Sequence, residues 1–217
     1  MRFDDLLAHT AMLPCFDFAL LFQIEPGSRA SLKVQLSRWI AQGKLLPLRR
    51  GMYCLAEPFA HVPRNPAALS ALLYAPSYLS DRWALGFYDL IPERVSELTA
   101  VTTRVPRRFE NALGVFSYRH LKNGAFFGYH QTTFAGGTLL VAEPEKALLD
   151  HWHLSTGEWT PARLGEMRYQ NTGVVDAARL LGYAERAGRP RLLRAAKTWL
   201  ALRDNEGDNT IGTEEIP

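Results

Sequence analysis

Carboxylates and a lysine crowd one short stretch: AEPEKALLD, at 142–150, holds Glu143, Glu145, Lys146 and Asp150. Acids beside a lysine are a set that metal-dependent nucleases use, so the stretch raises an enzyme reading. A D/E-x-K core needs an acid two residues before the lysine, and Pro144 stands there. The segment therefore reads as a helix start, with Pro144 at the first helical position and Glu143 and Glu145 at the positive end of the helix dipole. Leu148 and Leu149 then dock that helix on its neighbours. His151 and His153 follow, but residues two apart on a helix point about 200° away from each other, so they cannot chelate one ion from a shared face. Ser117 and Ser155 lack the G-x-S-x-G elbow of a serine nucleophile, and no phosphate-cradling glycine loop is present. This reading assigns no catalytic residue, no metal and no cofactor.

The cationic residues are distributed unevenly. Formal net charge is only +3, yet no acid occurs between Glu25 and Glu57, a window that carries Arg29, Lys33, Arg38, Lys44, Arg49 and Arg50. A solvated surface normally mixes both signs, so this window points to an anionic partner. A second basic run near the C-terminus includes Arg189, Arg191, Arg194 and Lys197. On a helix over 189–203 these residues form either a solvated face or a second contact with an anionic partner, with Leu192, Leu193, Ala196 and Leu200 turned inward.

The elements that must position these groups are legible from punctuation and period. Residues 3–8 and 16–23 read as short helices, separated by Pro14, and Pro26-Gly27 stops the second. Ser28 can cap a third helix over 28–42, whose Leu32, Leu36, Trp39 and Ile40 make one apolar stripe. Gly43 ends it, and Leu45–Leu48 and Met52–Leu55 form a hairpin turning at Gly51. Helix, helix, helix and hairpin is the order of a winged helix-turn-helix. Ala30, Ser31, Val34, Ser37 and Arg38 lie opposite the stripe, with Lys33 and Gln35 on the shoulders and Ser28 and Arg29 at the N-terminal end. Such a surface of small residues and a few donors suits a major groove. Val34 could pack on thymine methyls and Arg38 or Gln35 could read a purine edge, while Arg29, Lys33, Arg49 and Arg50 would meet phosphates.

Pro58, Pro63 and Pro66 mark a linker at 58–66, which divides a DNA-binding unit at 1–57 from a second unit at 67–203. That second unit reads as helices at 66–74 and 80–88, the latter capped by Ser80, then strands at 97–104, 114–121, 125–132 and 138–142. Helices at 144–154, 160–168, 174–186 and 189–203 follow. The fold class is α+β: an N-terminal winged helix-turn-helix, then a mixed α+β domain ending in helices. The acidic stretch 204–217 reads as a mobile tail. No run of about eighteen apolar residues occurs, and MRFDDLLAHT lacks a signal-peptide pattern. Cys15 and Cys54 are too few for a disulfide framework. A soluble cytoplasmic protein is expected.

Three stretches of the second unit are distinctive in their order and spacing: APSYLSDRWALGFYDLIP at 75–92, VTTRVPRRFENALGVFSYRHLKNGAFFGY at 101–129 and VAEPEKALLD at 141–150. Together with the preceding unit and LRRGMY, they resemble the AbiEi-type antitoxins of type IV toxin–antitoxin systems, transcriptional regulators of phage defence. The resemblance runs from about residue 16 to residue 150. It implies a two-part regulator whose N-terminal unit binds double-stranded DNA at inverted repeats upstream of its own operon, and so represses it. It implies a second domain that counteracts a nucleotidyltransferase-like toxin, with no stable complex required. The alternatives are a regulator that neutralises nothing, a nucleic-acid-processing enzyme built on the acidic cluster at 143–150, and a protein-docking module.

Overall fold

The computed structural model describes residues 1–211 and shows a mixed α+β chain with two sheets. The first 55 residues run α1 (Phe3–Thr10), β1 (Phe16–Asp17), α2 (Phe18–Ile24), α3 (Arg29–Ala41), β2 (Leu45–Arg49) and β3 (Met52–Leu55). β1 pairs antiparallel with β3, so the hairpin becomes a three-stranded sheet in the order β1-β3-β2. The helix expected at 16–23 is thus a two-residue strand followed by a shorter helix. Asp17 ends the strand and starts the helix, because its Oδ1 accepts from Leu20 N at 2.8 Å. Ser28 Oγ does the same for α3, accepting from Ser31 N at 3.3 Å. Leu6, Phe16, Leu21, Leu32, Leu36, Trp39, Leu45 and Leu55 form the core under these elements.

The rest of the chain runs α4 (Pro66–Leu73), β4 (Ser77–Leu79), α5 (Asp81–Phe87), β5 (Leu98–Thr102), β6 (Arg107–Asn111), β7 (Gly114–His120), β8 (Tyr129–Phe134), β9 (Gly137–Ala142), α6 (Pro144–Leu154), α7 (Pro161–Glu166), α8 (Ala177–Arg186) and α9 (Pro190–Ile211). Six strands make one mixed sheet in the order β6-β7-β5-β4-β9-β8. β4 and β6 have no counterpart in the sequence reading, since three residues and a charged RRFEN segment give no alternation to detect. The strand expected at 125–132 starts later, at Tyr129. Phe127 turns into the core first, and Gly128 crosses at φ +69. Ala135 and Gly136, at φ +46 and +74, then make the two-residue turn that fixes the β8–β9 register. Residues 204–211 continue α9 rather than opening a tail, and the remainder of the expected tail, 212–217, lies outside the described residues. Among the described residues no helix is long and apolar enough to cross a membrane.

The two sheets meet. Leu48, Met52 and Cys54 from the hairpin are buried in the same core as Leu73, Tyr118 and the sheet of the second unit. Asn111 Nδ2 donates to Leu48 O at 2.9 Å, joining the end of β6 to β2.

Helix α6 departs most from expectation. The expected helix start at Pro144 is present, but Glu145, Lys146 and Asp150 are each no more than 2% exposed, a burial that the dipole reading does not account for. Lys146 Nζ pairs with Asp150 Oδ1 one helical turn away. Asp150 Oδ2 accepts from Ser80 Oγ at 2.7 Å and from Tyr78 OH at 3.1 Å. Ser80 therefore does not cap α5; its hydroxyl is turned to the carboxylate. Burial raises the Asp150 pKa, opposed by Lys146 and the two hydroxyls. Lys146→Met leaves that carboxylate buried without its cation and is expected to lower unfolding free energy by about 3–5 kcal/mol. Lys146→Met/Asp150→Leu, which removes both charges, is expected to recover most of the loss; denaturant titration of the three proteins compares them.

Candidate nucleic-acid interface

Helix α3 buries Leu32, Leu36 and Trp39, and this stripe determines which side chains are left outside. Ser28, Arg29, Ala30, Ser31, Lys33, Val34, Ser37 and Arg38 are all exposed, and Gln35 is half-buried on the shoulder. Val34 has 51% of its surface open, an apolar side chain amid donors. Arg29 lies over the Phe22 ring at 4.8 Å, which holds its guanidinium near the start of the helix. Among the described residues Arg29, Lys33, Arg38 and Arg50 enter no ion pair. Four cations without an internal counter-charge remain available to an external anion.

The two arginines at the hairpin turn have separate roles. Arg50 is exposed beside Gly51, which takes φ +76 to close the turn. Arg49 is half-buried; its Nε donates to Leu73 O at 2.6 Å, satisfying a carbonyl at the end of α4. Its Nη1 donates to Arg50 O at 3.3 Å. This corrects the reading of Arg49 as a phosphate contact: the guanidinium fastens the hairpin to the second unit.

A neighbouring group of cations, in the run TRVPRR at 103–108, lies outside the acid-free window that marks the N-terminal unit in the sequence. Arg104 stacks on Tyr74 at 4.9 Å and donates to Ala75 O at 3.1 Å, two residues past the α4 carbonyl of Leu73 that Arg49 binds. Arg107 is exposed and shares a face of β6 with Phe109 and Asn111, the residues that reach Tyr74 and the hairpin.

The C-terminal basic cluster does not form one open face. Arg191 donates to the carbonyls of Trp152 and Gly157, to Ser155 O at 2.9 Å and to His153 O at 3.4 Å, so it closes the C-terminal end of α6. That corrects its reading as a second anionic contact. Arg194 pairs with Glu158 at 3.0 Å, while Arg189 and Lys197 are exposed.

His151 and His153 leave α6 in different directions. His151 Nδ1 meets Asp81 Oδ1 at 2.6 Å, a buried contact that holds Asp81 at φ +56. His153 borders a small cavity with Lys146, Asp150 and Arg189. Among the described residues no group of three or more His, Cys, Asp or Glu is arranged to hold a metal ion. Comparison with protein-family models finds no match, and comparison with curated proteins finds none either.

Two outcomes follow from this geometry. Arg49→Ala is expected to cost about 1.5–3 kcal/mol in unfolding free energy, because a charged donor is lost from a carbonyl. Arg50→Ala should change it by less than about 0.5 kcal/mol. His153 is held down to about 4 by burial and by the charges of Arg189, Lys146 and Arg191. A depressed histidine is neutral in the fold and takes up a proton on unfolding. Its contribution is therefore complete above the ordinary histidine pKa of about 6.5 and is lost as pH falls toward 4. Melting temperature should drop across that window, with a shallower slope in His153→Gln.

Proposed function

We propose that the chain is a cytoplasmic DNA-binding repressor of its own operon and an antitoxin of the AbiEi type. The observation that carries the DNA half is the acid-free, exposed face of α3, flanked by the unpaired Arg29, Lys33, Arg38 and Arg50. The order helix, strand, helix, helix, strand, strand supports a winged helix-turn-helix, with α3 as recognition helix and the β2–β3 turn as wing. Ser31, Val34, Gln35, Ser37 and Arg38 face the major groove, with Val34 on thymine methyls and Arg38 or Gln35 on purine edges. Arg29, Lys33 and Arg50 contact phosphates, and Arg107 extends that track beyond the wing. The operator is double-stranded DNA with inverted repeats.

The antitoxin half rests on the resemblance over 75–92, 101–129 and 141–150. Those segments supply β4 and α5, the end of β5 with β6 and β7, and the end of β9 with the start of α6. The partner whose action it opposes is a nucleotidyltransferase-like toxin. An enzyme built on the acidic cluster is disfavoured by its geometry, since Lys146 and Asp150 are closed on each other away from solvent.

Fluorescence anisotropy on labelled DNA from upstream of the gene, against a scrambled duplex and across a salt series, tests the DNA half. Wild type is expected to prefer its own upstream sequence. Arg50→Ala should weaken binding to both duplexes and reduce the salt slope by about one. Val34→Glu should abolish the preference. Equal binding to the two duplexes by wild type, or a wild-type salt slope in Arg50→Ala, would overturn the reading.

A further inference from the structure

The two edges of the six-stranded sheet are unlike. β6, at one end, carries Arg107, Arg108 and Glu110 and lies beside the hairpin. β8, at the other, reads YHQTTF, with no Lys, Arg, Asp, Glu or Pro and no shift of register against β9. Natural sheets usually guard an edge with charge, proline or a bulge, and β8 has none of these. It is also uncovered: five of its six residues are exposed, with Tyr129 at 37% and Phe134 at 45%.

The register shows which backbone groups are free. Glu143 N donates to Gly128 O at 2.9 Å, so residue 128 opposes 143 in a hydrogen-bonded pair. In an antiparallel ladder such pairs alternate with non-bonded ones. His130, Thr132 and Phe134 therefore bond to Val141, Leu139 and Gly137, and the two-residue turn at Ala135-Gly136 closes on the last of these. Tyr129, Gln131 and Thr133 direct one N–H and one C=O each to the outside of the sheet.

We propose that β8 is a self-pairing edge, and that two copies of this chain join there antiparallel about a two-fold axis at Gln131. Every free group finds its complement in this arrangement. Gln131 opposes Gln131 of the second copy, and Tyr129 opposes Thr133, all as hydrogen-bonded pairs. The two sheets become one continuous twelve-stranded sheet from six strands per copy. An isologous contact of this kind closes after two copies, because each edge is used once. The edge is neutral apart from His130, so identical strands meet without like-charge repulsion. This assembly stands independently of the DNA reading.

Analytical ultracentrifugation of the full chain tests it, together with two variants. Wild type is expected to sediment at twice the chain mass at tens of micromolar. Gln131→Pro removes only an outward N–H, leaves the β8–β9 bonds in place, and should sediment as a monomer with an unchanged far-ultraviolet spectrum. Should that variant misfold, oxidative cross-linking decides. In Gln131→Cys the two new thiols face each other and should form a disulfide dimer. In Thr133→Cys they are about 14 Å apart along the strands and should not. Wild type, with Cys15 and Cys54 only, serves as the cross-linking control. A wild-type monomer throughout the concentration range, a dimeric and folded Gln131→Pro, or equal cross-linking at 131 and 133 would each overturn the proposal, the first leaving the edge to an extended segment of another protein.

Discussion

A single buried ion pair organises the larger half of this molecule. Lys146 and Asp150 lie one turn apart on α6, and the carboxylate is also gripped by Ser80 and Tyr78 at the β4–α5 junction. β4 is only three residues long and sits in the middle of the sheet, between β5 and β9. So short a strand has little ladder of its own to hold it. Its hydroxyl anchors to Asp150 fix it against the helix, and the strands on either side are aligned through it. The Lys146 ammonium is enclosed as well by the Tyr78 and Phe127 rings, at 5.8 and 5.1 Å, so its charge is met by aromatic faces where no solvent reaches. A buried pair of this kind is weak as net stabilisation and strong as a constraint, because any register other than the native one strands a charge.

The same helix is closed at its far end by Arg191. Four carbonyls at and beyond that end, of Trp152, His153, Ser155 and Gly157, receive one guanidinium, and α9 is thereby locked across α6. Both ends of the arrangement rely on charged groups turned inward. The basic appearance of the C-terminal sequence thus divides into residues that hold the fold and residues that remain at the surface.

Most of the N-terminal architecture was legible because it rests on local chemistry. Ser28 capping, the Leu32–Leu36–Trp39 stripe and the Gly51 turn are decided within a few residues of each position, and all three are present. What escaped notice depends on partners far along the chain. β1 is a strand only because β3, some 36 residues later, is there to pair with it. Arg49 and Arg50 are identical in sequence terms, and their separation depends on a carbonyl at residue 73. The Lys146–Asp150 spacing of four was visible, yet four-residue spacing of opposite charges is ordinary on a wet helix face; the hydroxyls that drew it inward lie some 70 residues earlier.

Leu48, Met52 and Cys54 belong to the hairpin by sequence and to the second unit's core by packing. The first 57 residues are consequently not a transferable cassette. Grafted onto a foreign partner, they would carry a naked apolar strip where the native neighbour had been, and the hairpin would lose the surface that fixes its tilt. Change is tolerated instead on the outward face of α3, whose exposed side chains the fold does not use, with the body retained as a fitted mount.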